Sequence, residues 1–322
     1  MKRFDAPPSR TASHGVPKLV SARLSGRAAK YGGILACACF LLALAPGSGA
    51  QEPGAGEARA GWYVAAAFGG SRSDGLKQEG RNRENRCYPR MGCFGQESAT
   101  AIPGYRWGYD IDLGGSAIIE LSAGRRLNRA RVELSAGRHR SGADQIFTGL
   151  SFRDGSQVPP QALGSTIDSS SETTIDQIKT RYLTLDAYYD FPNAWGALSP
   201  YLGAGLGRAS MEVAGLRYSE RYFDPAGDDY DPPLSFYTSV QNADIKGSVS
   251  IWRLHAGADY DLGANTLLGL KLSYSATGSY ERAVPYETHP EHSIDPGFTN
   301  TTRFHGQRNW SVSLSMKRLL MN

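Results

Sequence analysis

One short segment collects the residue types that bind transition metals. It contains two histidines and three carboxylates, namely Glu287, His289, Glu291, His292 and Asp295. Imidazole and carboxylate ligands together suit zinc or copper. The spacing of these side chains matches no rigid ligand frame, however, and Pro290 interrupts it. We therefore predict a solvated loop here, with no bound metal and no other cofactor.

A second acidic segment has the oxygen ligands that calcium prefers. Its four aspartates and two tyrosines are Tyr222, Asp224, Asp228, Asp229, Tyr230 and Asp231. An EF-hand presents its ligands at fixed spacings along the loop, and this segment does not have those spacings. The sequence therefore predicts an exposed polar loop.

The series Gly203-x-Gly205-x-Gly207 superficially matches a phosphate-binding loop. Such a loop must lead into a helix, whereas here the glycines alternate with apolar residues as they would in a strand. We interpret them as inward-facing glycines that leave room for neighbouring side chains.

Hydrolytic chemistry would need a Ser or Asp paired with a His. His139 and His305 lie near the ends of predicted strands, where a catalytic pair could be presented. Neither lies in a cluster such as His-x-Ser-Asn. We therefore predict that the chain is not an enzyme.

An alternation of apolar and polar residues recurs along the chain and determines where these groups lie. It is clearest near the C-terminus, where Trp310, Val312, Leu314 and Met316 alternate with polar residues. A two-residue period predicts a strand with one apolar and one polar face. The same pattern predicts eight strands, over residues 61–70, 116–127, 130–140, 181–191, 199–211, 251–262, 266–276 and 309–320.

The connections between the predicted strands alternate in length. Three are short, and four are long and polar, covering residues 71–115, 141–180, 212–250 and 277–308. Short turns at one rim and long loops at the other are typical of outer-membrane barrels, with the short turns in the periplasm. In hydrocarbon every backbone polar group must be paired, and a sheet achieves this only when it closes. The sequence therefore predicts an all-β fold, an eight-stranded antiparallel up-and-down transmembrane β-barrel with short periplasmic turns and four long extracellular loops.

The polar faces of these strands carry charges of both signs. The inward set is Glu120, Arg131, Glu133, Asp186, Arg253, Asp259 and Lys271. Side chains fill the interior of an eight-stranded barrel, so we predict a plugged lumen. Glu120 or Glu133 should approach Arg131, Arg253 or Lys271. An ion path or proton relay is the alternative interpretation. The residues expected to face lipid include Leu121, Leu134, Leu185, Leu206, Leu270 and Leu314.

The first fifty residues have the features of an export signal. Four basic residues between positions 18 and 30 precede an apolar run over residues 34–45, and small residues follow as far as Ala50. The run is too short to cross about 30 Å of hydrocarbon as a helix. We predict a secretory signal peptide over residues 1–50, a short periplasmic segment over residues 51–60, and the barrel over residues 61–322. A lipoprotein site at Cys37 is disfavoured because the apolar run follows that cysteine.

Removal of the signal changes the sign of the net charge. Residues 1–50 hold seven of the 35 Lys and Arg residues and one of the 31 Asp and Glu residues, which leaves 28 basic and 30 acidic residues. The remaining chain is therefore near −2, where the full chain is +4. A basic surface is the electrostatic signature of nucleic-acid binding, and nothing here indicates such a partner.

Two of the four cysteines leave with the signal, and Cys87 and Cys93 remain. Disulfides form in oxidising compartments outside the cytoplasm. We predict that these two pair within the first long loop and restrain its tip without supporting the barrel.

Three stretches of the predicted strands carry a family pattern. They are residues 61–64 (GWYV), residues 188–191 (YYDF) followed by 199–207 (SPYLGAGLG), and residues 252–260 (WRLHAGADY). These stretches resemble the opacity-protein and bacterial surface-antigen group of small outer-membrane β-barrels. The resemblance implies the barrel fold, and it implies adhesion, factor binding or a narrow pore as possible activities. One departure is the end of the chain, Leu320-Met321-Asn322, where such barrels usually carry an aromatic residue.

These observations predict an outer-membrane surface protein with a structural, adhesion or ligand-binding role through its extracellular loops. The alternative is a narrow, porin-like channel, and the third hypothesis is an outer-membrane enzyme that modifies lipid or cleaves peptides. The expected partners are outer-membrane lipid and lipopolysaccharide, the barrel assembly machinery, and an extracellular or host ligand.

Overall fold

The computed structural model describes residues 61–87, 100–158, 166–191 and 197–320. The strands formed by these residues are β1 (Gly61–Ser73), β2 (Leu76–Asn82), β3 (Asn85–Cys87), β4 (Thr100–Ile102), β5 (Tyr105–Leu113), β6 (Ser116–Leu127), β7 (Ala130–Phe152), β8 (Asp168–Thr174), β9 (Gln177–Asp190), β10 (Leu198–Phe223), β11 (Ser239–Gly263), β12 (Thr266–Thr277), β13 (Tyr280–Pro285), β14 (Thr299–Phe304) and β15 (Arg308–Leu319). Two short 3-10 helices cover Leu234–Tyr237 and Pro290–Ser293. Within the described ranges, no helix has the length and apolar character needed to cross a membrane.

Eight of these strands close into a ring by antiparallel pairing. The order is β1, β6, β7, β9, β10, β11, β12 and β15, and β15 pairs back onto β1. Every strand of the ring therefore has two hydrogen-bonded neighbours, and the ring has no open edge. The predicted eight-stranded antiparallel barrel is confirmed.

The barrel has two different ends. Tight turns join β6 to β7 and β11 to β12, and Asn128 (φ 57°) and Asn265 (φ 63°) take the left-handed conformation that such turns use. This end, which also holds Gly61 and Leu319, is the turn end. The long connections leave the opposite end, which is the loop end.

The outer face of the ring is an apolar belt bounded by aromatic side chains. All six leucines predicted to face lipid point outward; five are exposed, and Leu270 is half-exposed. Aromatic residues at the turn end of the belt are Trp62, Tyr189, Phe191 and Tyr260, and those at its loop end are Trp252, Tyr274 and Trp310. Trp252 and Tyr260 are eight residues apart on β11, or about 26 Å along the strand.

Glycines on the inner face admit the rings of lumen tyrosines. Four tyrosines lie directly opposite a glycine of the neighbouring strand, in the pairs Tyr63–Gly124, Tyr182–Gly137, Tyr188–Gly203 and Tyr201–Gly257. A Cβ atom on any of these glycines would overlap the facing ring. The interpretation of Gly203 as a residue that leaves room for a neighbour therefore agrees with its position in the barrel.

The segments predicted as long loops contain much more sheet than the sequence indicated. β7 continues to Phe152, although the alternation suggested an end near Arg140, and β10 and β11 extend in the same direction. β2, β5, β8, β13 and β14 pair with these extensions or with each other. This extension of the barrel is the upper wall. Its outer face carries mostly polar side chains, so the apolar alternation of a lipid-facing strand is missing.

Several predictions made from the sequence lie outside the described residues. These are the signal peptide, the short periplasmic segment, and the disulfide between Cys87 and Cys93. They stay predictions.

Candidate functional site

The upper wall encloses a cavity of about 410 Å³ at the loop end. Its lining side chains come from β2, β5, β7, β8, β10, β11 and β14, together with Val158, Tyr286 and His289. Cavities of this size and position, in the mouth of a barrel, are typical of small-molecule sites. This cavity is the loop-end chamber.

The chamber is lined by aromatic rings, amides and carboxylates. Tyr105, Trp107 and Tyr109 enter it from β5, and Phe147 and Tyr286 contribute further rings. The amides are those of Gln78, Asn82, Gln241 and Asn300, and the carboxylates are those of Glu172 and Glu220. No Lys or Arg is among the lining residues. Tyr109 packs edge-on against Phe147 with ring centroids 5.5 Å apart, which holds this part of the wall in shape.

Glu220 is the most closely surrounded carboxylate in the chamber. The Tyr218 hydroxyl donates a hydrogen bond of 2.9 Å to it, and the Tyr222 hydroxyl also bonds to it. Burial, followed by the charge of Glu220, raises the pKa values of both tyrosines. The same two causes raise the pKa of Tyr105 to about 12. These three hydroxyls therefore stay protonated near neutral pH, and those of Tyr218 and Tyr222 donate to the carboxylate.

A hydrophobic cluster forms the floor of the chamber. It includes Met211, Val213, Ile245, Val249 and Phe304, all at most 3% exposed. Leu216 of the cluster lines the chamber, and its members Ile118, Tyr182 and Ile251 line a small cavity in the barrel below. The cluster therefore separates the chamber from the charged lumen.

Below the floor, Glu120 joins two cations in the middle of the lumen. Arg253 Nη2 donates to Glu120 Oε2 at 2.6 Å, Lys271 Nζ bonds to Glu120 Oε1, and the Tyr182 hydroxyl donates at 2.6 Å. Arg253 also lies 3.7 Å from Asp186 Oδ2, and His255 Nε2 lies 3.1 Å from Asp186 Oδ1. All these side chains are buried.

A second group of charges fills the lumen near the turn end. Arg131 lies 3.0 Å from both Asp190 and Asp259, and Lys317 lies 2.6 Å from Asp259. Glu133 has no cation partner among the described residues and accepts hydrogen bonds from Tyr63, Ser135 and Tyr188. The structure thus brings six of the seven predicted lumen residues into ion pairs, with Asp190 and Lys317 as further members.

The free space between these lumen charges is small. The cavities around them measure about 10 Å³ or less, and a cavity needs about 10–15 Å³ to hold one water molecule. Each of these cavities therefore has room for about one water molecule at most.

The histidines considered for chemistry lie in unsuitable places. His139 is buried in the lumen, and neither ring nitrogen has a hydrogen-bond partner among the described residues. His305 Nε2 lies 3.2 Å from Glu79 on the outside of the upper wall. Neither histidine is bonded to a serine within the described residues, so the structure assembles no hydrolytic pair around them.

Side chains of the acidic and histidine-rich segments make hydrogen bonds and ring contacts within the protein. His289 Nδ1 accepts a hydrogen bond from the Glu291 backbone, and its ring lies 4.4 Å from that of Phe298. Asp224 accepts from Thr166 and from the Ala226 backbone. Burial and the charge of His292 lower the pKa of His289 to about 3, so it is neutral at physiological pH. Within residues 61–87, 100–158, 166–191 and 197–320, no three His, Cys, Asp or Glu side chains are grouped closely enough for a metal ion.

Reasoning from the sequence missed the chamber and its carboxylate. A signal was present, because Tyr218, Glu220 and Tyr222 alternate with Arg217, Ser219 and Arg221. This is a strand pattern with an aromatic inner face, but it lacks the aliphatic residues that mark a lipid-facing strand. The other walls come from distant segments whose contacts no local pattern reveals.

Comparison with solved structures finds small outer-membrane barrels. Neisserial surface protein A (NspA) is 14% identical, with 80% of this chain and 97% of that chain covered and a TM-score of 0.34. Outer membrane protein OprG from Pseudomonas aeruginosa is 13% identical, with 81% and 98% covered and a TM-score of 0.38. Ail of Yersinia pestis, solved with the heparin analogue sucrose octasulfate, is 10% identical, with 80% and 99% covered and a TM-score of 0.28.

No curated protein sequence matches the chain. A family match is found: residues 40–317 match the family described as outer membrane protein beta-barrel domain. The match spans nearly all of the closed ring and the upper wall. The chain therefore belongs to the outer-membrane β-barrel domain family, and its place is the outer membrane.

Proposed function

We propose that this protein is an outer-membrane binding protein that holds a small extracellular ligand in the loop-end chamber. The observation that carries the proposal is the chamber itself, a cavity of about 410 Å³ lined by aromatic and polar side chains from seven strands. A few polar groups among aromatic walls are the usual composition of a ligand site. The turn end faces the periplasm in this family of folds, so the chamber opens toward the outside.

The channel and enzyme alternatives have less support. A channel needs a continuous water path, whereas hydrogen-bonded charges and the hydrophobic floor cross the described lumen. An enzyme needs a nucleophile paired with a base, and the two candidate histidines lack such a partner within the described chain. We expect the barrel assembly machinery to insert the protein as it inserts other barrels of this class.

The binding proposal is tested by filling the chamber. Ser239 is a buried lining residue, and we expect Ser239→Trp to abolish binding because the indole occupies the ligand space. The full barrel in detergent is screened by saturation-transfer NMR against glucose, choline, benzoate and octanoate. At least one compound should bind the unmodified protein and lose its signal with the variant.

The matched control is Ser170→Trp, which adds the same ring at an exposed position of β8 outside the chamber lining. Heat-modifiable migration in gels shows that both variants are folded. Absence of binding by all four compounds, or equal binding by the two variants, would refute the chamber as a binding site.

A basic cluster on the outer surface supports lipopolysaccharide as the lipid partner. β7, β9 and β10 are adjacent strands with apolar residues on their outer faces. Toward the loop end, the first basic residues that follow these apolar residues are Arg138, Arg181 and Arg208. Arg138 and Arg181 are direct cross-strand neighbours, a placement that is unfavourable for like charges. None of the three has a carboxylate partner among the described residues. Phosphate groups at the outer-leaflet surface would satisfy these guanidinium groups.

The basic cluster predicts that the protein binds lipopolysaccharide more tightly than it binds phosphatidylcholine. Each basic side chain near an anionic membrane surface contributes about 1 kcal/mol, so Arg138→Gln/Arg181→Gln should weaken lipopolysaccharide binding roughly 30-fold. The measurement is binding of purified barrel to vesicles of phosphatidylcholine with and without lipopolysaccharide. Arg221→Gln/Arg303→Gln is the control, because these exposed arginines lie on the upper wall beyond the belt. Equal losses in the two double variants would contradict the assignment.

A further inference from the structure

We propose that the loop-end chamber binds a small organic cation of the alkylammonium class, with Glu220 as its counter-ion and the surrounding aromatic rings as its walls. This inference rests on the proposed function of the chamber. It adds the charge and chemical class of the ligand.

The lining of the chamber carries negative charge. The chamber contains Glu172 and Glu220 but no Lys or Arg. Alternation along the strands accounts for this, because Arg106 on β5 and Arg217 and Arg221 on β10 lie at the exposed positions between lining residues. The remaining basic candidate, His289, is a neutral imidazole at physiological pH because burial and His292 hold its pKa at about 3. The interior of the chamber is therefore negative.

Glu220 is held in the chamber by neutral hydroxyl groups. Its carboxylate has no basic partner among the described residues, and the hydroxyls of Tyr218 and Tyr222 hold it in place. Its charge acts on the hydroxyls of five lining tyrosines, Tyr105, Tyr109, Tyr218, Tyr222 and Tyr286. A half-buried carboxylate without a cation favours a ligand that brings one.

Aromatic rings form much of the chamber walls. The face of an aromatic ring is negative and attracts cations, and rings around a pocket are a known solution for ammonium ligands. Trp107 and the tyrosines of β5 and β10 contribute such rings to the lining. An anion would meet two carboxylates and no cation here, and a neutral apolar ligand would desolvate Glu220 without compensation. The lining therefore favours an organic cation over an anion or a neutral apolar ligand.

The test compares choline with its neutral carbon isostere dimethylbutanol by titration calorimetry on the full barrel in detergent. The two molecules have nearly the same shape and differ in charge. We expect choline to bind at least tenfold more tightly. Glu220→Gln should weaken choline binding at least tenfold and leave dimethylbutanol binding unchanged, because only the counter-ion is lost.

Glu84→Gln is the matched control, since Glu84 is exposed and does not line the chamber; it should bind choline like the unmodified protein. Equal binding of choline and dimethylbutanol, or no effect of Glu220→Gln, would overturn the cation assignment. If glucose, benzoate or octanoate binds and Ser239→Trp abolishes that binding while choline does not bind, the chamber remains a ligand site and the cation inference is wrong.

Discussion

Replacement of Glu120 by glutamine is expected to lower the free energy of unfolding by about 3–5 kcal/mol, the usual cost of removing one partner of a buried ion pair. Glu120 is the shared partner of Arg253 and Lys271 in the middle of the lumen. Both cations stay buried in the variant; Lys271 loses its carboxylate partner, and Arg253 keeps only Asp186 at 3.7 Å. The measurement is urea unfolding of the barrel in lipid vesicles, followed by tryptophan fluorescence.

The matched control for this variant is Glu281→Gln. Glu281 pairs with Arg81 at 2.8 Å on the exposed face of the upper wall, where an ion pair contributes about 0–1 kcal/mol. Both variants lose an ion pair, so the difference between their losses of unfolding free energy measures the effect of burial. Equal costs for the two variants would show that the lumen charges are well hydrated, and a water-filled channel would then become the better interpretation of the barrel.

A double variant tests the coupling directly. Glu120→Gln/Lys271→Met removes one charge of each sign, so it should be more stable than Glu120→Gln alone. Coupling between contacting residues typically reaches 0.5–3 kcal/mol. Additive losses in the double-mutant cycle would mean that Lys271 does not interact with Glu120 in the folded barrel.

The sequence predicts the ring well because its environment is uniform along every strand. Leu206 has lipid on one side and its neighbours Gly205 and Gly207 face a packed lumen, so alternation alone identifies both faces. The family resemblance rests on the same strands. Local patterns are sufficient here because the membrane imposes the same requirement on all eight strands.

The ion-pair partners could not be read from the alternation. It places Arg131 in the lumen, but the stagger of the strands decides whether it meets Glu133 or another acid. In the structure Arg131 pairs with Asp190 and Asp259, while Glu133 bonds to tyrosines. Inward direction is a local property of a strand, whereas partner choice depends on the register of several strands together.

The upper wall and its chamber were hidden for a related reason. Beyond the belt the outer faces of the strands meet water, and their inner faces mix aromatic, aliphatic and polar side chains, so the strong contrast between apolar and polar positions is lost. Gln145, Ile146 and Phe147 on β7 are exposed or half-exposed alike. The composition of this part of β7 indicates a loop. It forms a strand because it pairs with β5, a contact between segments that are distant in the sequence.

Leu185→Arg should be the most damaging substitution on the outer surface. Leu185 is 60% exposed on the outer face of β9, midway between Arg181 and Tyr189 in the apolar belt, where a charged side chain at the bilayer midplane costs about 2–4 kcal/mol. Leu262→Arg makes the same change at a side chain that is 54% exposed, two residues past the aromatic Tyr260 at the turn end. Near the interface the cost falls to about 0–1 kcal/mol.

The comparison of the two arginine variants distinguishes a membrane from any other apolar environment. Both leucines are exposed and neither is packed in a core, so a protein whose outer face met only water would tolerate both changes equally. Unfolding in lipid vesicles should therefore show a large loss for Leu185→Arg and a small one for Leu262→Arg, and the difference should shrink when detergent micelles, which deform around a charge, replace the bilayer. If the two variants were equally stable in vesicles, the apolar belt would not be the part of the barrel that lies in the membrane.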